Sequence, residues 1–78
     1  MKTKNQIQKI FNDKYGALVD IKIEDTKPQY EGDYTVILFP LTKYARMSPE
    51  LIGKELGDSL SDIQSYNVIK GFLNIKIK

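Results

Sequence analysis

The strongest constraint in this sequence is a period of two. In Phe72-Leu73-Asn74-Ile75-Lys76-Ile77-Lys78 the odd positions are all aliphatic, and the even positions carry a ring, an amide and two ammonium groups. Extended backbone sends successive side chains to opposite faces, so this segment reads as a strand with one buried face. Val19-Asp20-Ile21-Lys22-Ile23-Glu24 repeats the alternation. Strands buried on one face need a second layer to cover them.

That layer is legible elsewhere in the chain. Ile7, Ile10, Phe11 and Tyr15 recur at helical spacing, and Thr3 and Gln6 have the spacing of a capping box, which predicts an amphipathic helix over residues 4–15 stopped by Gly16. Asp25 to Asp33 reads as a polar loop with Pro28 and Gly32. Tyr34 to Phe39 is β-branched and aromatic without alternation, the pattern of a more central strand, and Pro40 ends it. Leu41, Tyr44 and Ala45 suggest a short helix. Ser48-Pro49-Glu50 combines a cap, a proline at the first helical position and an acid in the first turn. Ile52, Leu56 and Leu60 then give a buried stripe to about residue 60. Tyr66 to Ile69 reads as a third strand and Phe72 to Lys78 as a fourth. Lys70-Gly71 is either a tight turn between them or a bulge in one long strand. The order α-β-β-α-α-β-β predicts an α+β fold: a small, mainly antiparallel sheet of three to four strands with two to three helices on one face. At 78 residues the chain suits one domain with a modest core.

The residue inventory removes most catalytic chemistry. The sequence has no cysteine and no histidine, so disulfides, thiolate nucleophiles, imidazole acid–base catalysis and His- or Cys-held metals are excluded. Its serines, Ser48, Ser59, Ser61 and Ser65, lack the usual base, and no glycine-rich phosphate loop is present. Asp20, Glu24, Asp25, Glu31 and Asp33 are the carboxylate-rich part, and they read as solvated charges and turn residues. No apolar run approaches the ~20 residues that cross a bilayer, and the start lacks the apolar stretch of a signal peptide. We therefore expect a soluble, cytoplasmic protein, no catalytic residue, and no metal, nucleotide or other cofactor bound to this domain.

Charge is informative through its distribution. The net charge is +2, too small by itself to announce a nucleic-acid partner. Yet the first nine residues hold Lys2, Lys4 and Lys9 and no acid, and the last nine hold Lys70, Lys76 and Lys78 and no acid. If the ends meet, with Lys2 or Lys4 beside Lys76, they form one basic patch. Otherwise the lysines merely solvate the ends. On the closing strand, inward Leu73, Ile75 and Ile77 force Phe72 outward beside Asn74 and Lys76. In that geometry the ring can stack on an unpaired base, the amide can read a base edge and the lysines can meet phosphates. A bulge at Gly71 would instead turn Phe72 into the core.

Four segments in order, Gly32-Asp33-Tyr34-Thr35, Phe39-Pro40-Leu41-Thr42-Lys43, Ser48-Pro49-Glu50 and Val68-Ile69-Lys70-Gly71-Phe72-Leu73-Asn74, resemble the additional N-terminal domain of bacterial arginyl-tRNA synthetases. The resemblance covers about residues 5–78. It implies a module that contacts the D-loop at the elbow of tRNA-Arg, with the family's aromatic contact on Phe72 and its polar base contact on Asn74. A further polar contact falls near Ile69, which is apolar here. Lys70, Lys76 and Lys78 complete the expected tRNA-binding set. The resemblance also implies a fragment of a longer, ATP-dependent arginine–tRNA ligase, whose catalytic and anticodon-binding domains lie outside this sequence. Expected partners are tRNA-Arg and the catalytic domain of the same chain, with the isolated domain a monomer. The alternative is a structural or protein-interaction domain that packs on the rest of the synthetase without reading a base.

Overall fold

A computed structural model describes residues 2–16 and 19–78. Helix α1 (Lys2–Tyr15) is followed by strands β1 (Ile23–Asp25) and β2 (Tyr34–Ile37), a 3-10 turn (Phe39–Leu41), helices α2 (Thr42–Ala45) and α3 (Pro49–Ser59), and strands β3 (Ile63–Ile69) and β4 (Phe72–Ile77). The strands form one antiparallel sheet in the order β1-β2-β4-β3. This is the α+β architecture the sequence predicts, with β2 inside the sheet.

Period decides which side of the sheet is the core. Leu73 pairs with Val36 on β2 and Val68 on β3. Leu73, Ile75 and Val36 are fully buried together with Ile7 and Phe11 of α1 and Ile52 and Leu56 of α3. The alternate residues of the same strands, Phe72, Asn74 and Lys76 with their partners Ile37, Thr35 and Ser65, face away from the helices.

Several boundaries differ from the sequence reading, for identifiable reasons. Helix α1 already includes Thr3, so Thr3 and Gln6 are not a capping box. Residues 19–22 keep their alternation, with Ile21 buried, but do not join the strand. There the side chain of Gln8 takes the place of a neighbouring strand: its amide donates to the Val19 carbonyl, and its oxygen accepts from the Ile21 amide at 3.1 Å. Strand β3 begins at Ile63, three residues earlier than Tyr66, with an irregular register between Ile63 and Ser65. At the β3–β4 junction Lys70 has φ 51° and Gly71 φ 82°, with Ile69 paired to Phe72. Two successive positive φ values make the two-residue hairpin turn whose twist matches the strands, so the bulge does not occur.

Helix α3 sits close to the sheet. Ser48 caps it by accepting from the Leu51 amide at 3.3 Å. Gly53 and Gly57, which in the sequence only interrupt helical composition, are buried against β3. A methyl on Gly53 would lie 2.7 Å from Val68, and one on Gly57 2.7 Å from the Tyr66 ring. The Tyr66 hydroxyl donates to Asp58 on the same helix. That bond, followed by the Lys54 ammonium at 2.9 Å, holds the Asp58 carboxyl below its ordinary value of 3.8.

Two outcomes follow. Gly57→Ala gains about 1 kcal/mol of helix propensity, but overpacking against the Tyr66 ring costs roughly 1–3 kcal/mol. The melting temperature should fall, and a rise would mean the ring has room to move. Because Asp58 has a depressed folded pKa, its stabilisation is present above its unfolded pKa and is lost as pH falls through the folded value. The gap in melting temperature between wild type and Asp58→Asn should therefore close as pH is lowered from about 5 to about 2. A gap that stays constant would show that the carboxylate charge contributes nothing there.

Candidate functional site

The helix-free face of the sheet is partly covered by its own loop. Thr35 and Asn74 pair across β2 and β4, Asn74 pairs with Asn67 across β4 and β3, and a chain of hydrogen bonds follows the same line. The Thr35 hydroxyl lies 2.6 Å from the Asn74 amide oxygen and 2.9 Å from the Thr26 hydroxyl. The Asn74 amide donates to the Asn67 side-chain oxygen at 2.9 Å, and the Asn67 amide donates to the Glu31 carbonyl at 3.0 Å. Gly32, at φ 150°, rests where a methyl would meet Asn74 and the Ile75 carbonyl at 3.3 Å. The Asp33 amide donates to that carbonyl at 2.7 Å, and the Asp33 carboxylate accepts from the Ile77 amide at 2.8 Å. The loop between β1 and β2 is thus bonded along β4.

This corrects the reading of Asn74. It lies on the face that alternation assigns it, but it is 1% exposed and both ends of its amide are engaged inside the protein. It lines the bottom of the cleft beside Phe72 with no free end of the amide to offer a base edge. The physical reason is that strand parity fixes a side and says nothing about what a loop lays over that side. Phe72 is different. It is half-buried, outside the core, and forms one wall of a cleft of about 60 Å³ lined also by Tyr30, Lys27, Gln29, Glu24, Thr35 and Asn74. Neither a free outward ring nor a core ring describes it; it is a ring at the edge of a slot.

The three lysines do not gather into one patch. Lys70 is exposed on the hairpin turn, and Lys76 lies on the helix-free face with its ammonium 3.7 Å from Glu31. Lys78 is exposed at the far end of β4, roughly 20 Å from Lys70 at the rise of an extended strand. The two chain ends do meet: Lys78 lines a cleft with Thr3 and Gln6 of α1. Carboxylates interrupt the expected basic surface, however, since Asp62 lines the same cleft and Lys4 is held by Asp20 at 3.5 Å. The Lys2 side chain lies outside what the structure describes. Sequence reasoning passed over Tyr30, Lys27 and Gln29, whose one signal was an aromatic residue inside a polar loop.

These features define a class: a two-layer α+β module whose surface chemistry is aromatic, amide and ammonium. Among the described residues no cluster of three or more metal-ligating side chains occurs. The family model described as the arginyl tRNA synthetase N terminal domain matches residues 1–77. The arginine–tRNA ligase of Amoebophilus asiaticus is 43% identical over 65 residues, covering 78% of this chain and 11% of that protein. That of Bacteroides thetaiotaomicron is 38% identical over 61 residues, covering 73% of this chain and 10% of the relative. The solved Thermus thermophilus arginyl-tRNA synthetase superposes with a TM-score of 0.80 at 28% identity, over 99% of this chain and 13% of that one. The chain belongs to the arginyl-tRNA synthetase N-terminal domain family and spans about a tenth of the length of these curated relatives.

Asn74→Ala should act as a core mutation. It leaves the buried Thr35 hydroxyl without its Asn74 partner, at roughly 1–3 kcal/mol for a buried group left short of a hydrogen bond. A thermal melt checks this: an unmoved transition would show that water replaces the amide without cost.

Proposed function

We propose that this domain binds the D-loop at the elbow of tRNA-Arg and positions that tRNA for arginine–tRNA ligation carried out elsewhere in the synthetase. The observation that carries this reading is the place of Phe72. Its ring stands outside the core, on the face free of helices, beside Tyr30 and Lys27. An aromatic wall accepts any unpaired base by stacking, and an ammonium at the rim suits the adjacent phosphate. With Asn74 enclosed and Ile69 apolar, stacking carries the contact, and the loop side chains Lys27 and Gln29 are among the polar groups at the cleft, with Glu24 and Thr35. In this reading the partners are tRNA-Arg and the catalytic part of the synthetase. ATP is used there and not in this domain, and the enzyme works in the cytoplasm.

Phe72→Ala is the direct test. Loss of stacking should cost roughly 1–3 kcal/mol of tRNA binding. A half-buried ring should cost less stability than the ~3–5 kcal/mol of a fully buried one. Fluorescence anisotropy with a tRNA-Arg transcript and a thermal melt of the same variant read both. Weakened binding with a modest shift in melting supports the role. Unchanged binding would remove it.

A further inference from the structure

A second feature lies at the hairpin end of the sheet. Phe39 is 59% exposed, more than Leu51 at 52% or Tyr44 at 42%, the other large apolar residues left in solvent among the described residues. Its ring lies over Gly71, where a methyl would fall 2.2 Å from the ring carbons, and the neighbouring Leu38 amide donates to the Gly71 carbonyl at 3.1 Å. Phe39 therefore sits against the turn that carries Lys70. The Phe39 carbonyl accepts from the Thr42 hydroxyl at 2.9 Å, which ties the 3-10 turn to the single turn of α2. That turn carries Lys43, whose ammonium stands 5.1 Å from the centre of the Tyr44 ring, and it closes at Arg46.

Three observations mark this end. No acid occurs from Tyr34 to Pro49 or from Ile63 to Lys78, and the fold brings these two stretches together here. Among the described residues, Lys4, Lys9, Lys14, Lys22, Lys54 and Lys76 each have a carboxylate within 4 Å, whereas Lys43, Arg46 and Lys70 at this end, like Lys27 and Lys78 elsewhere, have none. Finally, the two non-glycine residues with positive φ among those described are Arg46 at 57° and Lys70 at 51°. Left-handed backbone favours glycine or asparagine. Both positions hold an exposed cation instead, against local conformational preference. A residue kept in an unfavoured conformation points to a use for its side chain.

We propose that Phe39, Lys43, Arg46 and Lys70 form a second RNA contact of this domain, with the cations on the phosphodiester backbone of a folded RNA and Phe39 stacked on an unpaired base. The inference rests on the RNA-binding reading above and extends it, from Lys70 of the expected set, to Phe39, Lys43 and Arg46, none of which lines the Phe72 cleft. Unpaired cations beside an exposed ring are the composition that meets phosphate and base together.

The test uses substitutions that suit the backbone. Arg46→Gly and Lys70→Asn place favoured residues at the two positive-φ sites, and the second makes an Asn-Gly turn. The melting temperature of the double variant should therefore hold or rise. Its affinity for a tRNA-Arg transcript should nonetheless fall roughly five- to eightfold per cation at 0.1 M salt, and the slope of log K against log salt should shrink by about 0.7–0.9 per cation removed. Phe72→Ala is measured alongside. Unchanged affinity and slope in the double variant, with binding weakened by Phe72→Ala, overturns this inference and leaves the first reading intact. Loss in the double variant without loss in Phe72→Ala supports this surface and removes the cleft. A wild-type chain that fails to bind the transcript at low salt overturns both. Self-association abolished by Phe39→Ser, with RNA affinity and salt slope unchanged, would assign the surface to a second copy of the chain and overturn the RNA contact.

Discussion

The enclosed amide of Asn74 organises the side of the sheet that the helices leave free. It is a polar group at the centre of a four-stranded sheet, shielded from water, and it is stable there because both ends are hydrogen-bonded. Its partners belong to the two strands beside it, Thr35 on β2 and Asn67 on β3, so it spans the sheet at right angles to the chain. Thr26 and the Glu31 carbonyl then extend the same chain of bonds into the β1–β2 loop. The loop is held against the helix-free face by these bonds, with Phe72 beside it.

The opposite side of the sheet is closed by apolar contact. Glycines at positions 53 and 57 let the α3 backbone approach β3 until Val68 and the Tyr66 ring fill the space a methyl would take. Tight packing on one side and a hydrogen-bonded loop on the other leave the sheet little freedom. A rigid platform of this kind presents an aromatic wall without first having to order it, and preorganisation lowers the entropic cost of binding. This suits a domain that spans about a tenth of the length of its relatives.

The electrostatics follow a similar division. Most lysines of α1, α3 and β4 are matched to carboxylates, among them Lys9 to Asp13, Lys54 to Asp58 and Lys76 to Glu31. Exposed pairs of this kind add little stability, but they neutralise the surface on which they lie. The cations left without partners at the hairpin end then dominate the local field, although the net charge of the chain is only +2.

How much of this was written in the sequence depends on the range of the interaction that decides each feature. The period of two in 72–78 placed Leu73 and Ile75 inside and Phe72, Asn74 and Lys76 on the other face, because alternation is a property of the extended backbone itself. Ser48-Pro49-Glu50 located the start of α3 because capping is satisfied within three residues. Order and type of elements, and the family motif, were legible for the same reason. What lies over a face is set by residues distant in the chain. The burial of Asn74 depends on Thr35 and on the loop around Gly32, about forty residues away, and the first half of the strand expected at 19–24 is bonded to the side chain of Gln8 on α1 instead of to a strand. Likewise, Phe39 came to rest on the turn of Lys70 and Gly71 only through the pairing of β2 with β4. Local geometry determines on which side of a strand a residue stands; only the tertiary structure decides whether that side is open to a partner, because access is fixed by contacts that no local period records.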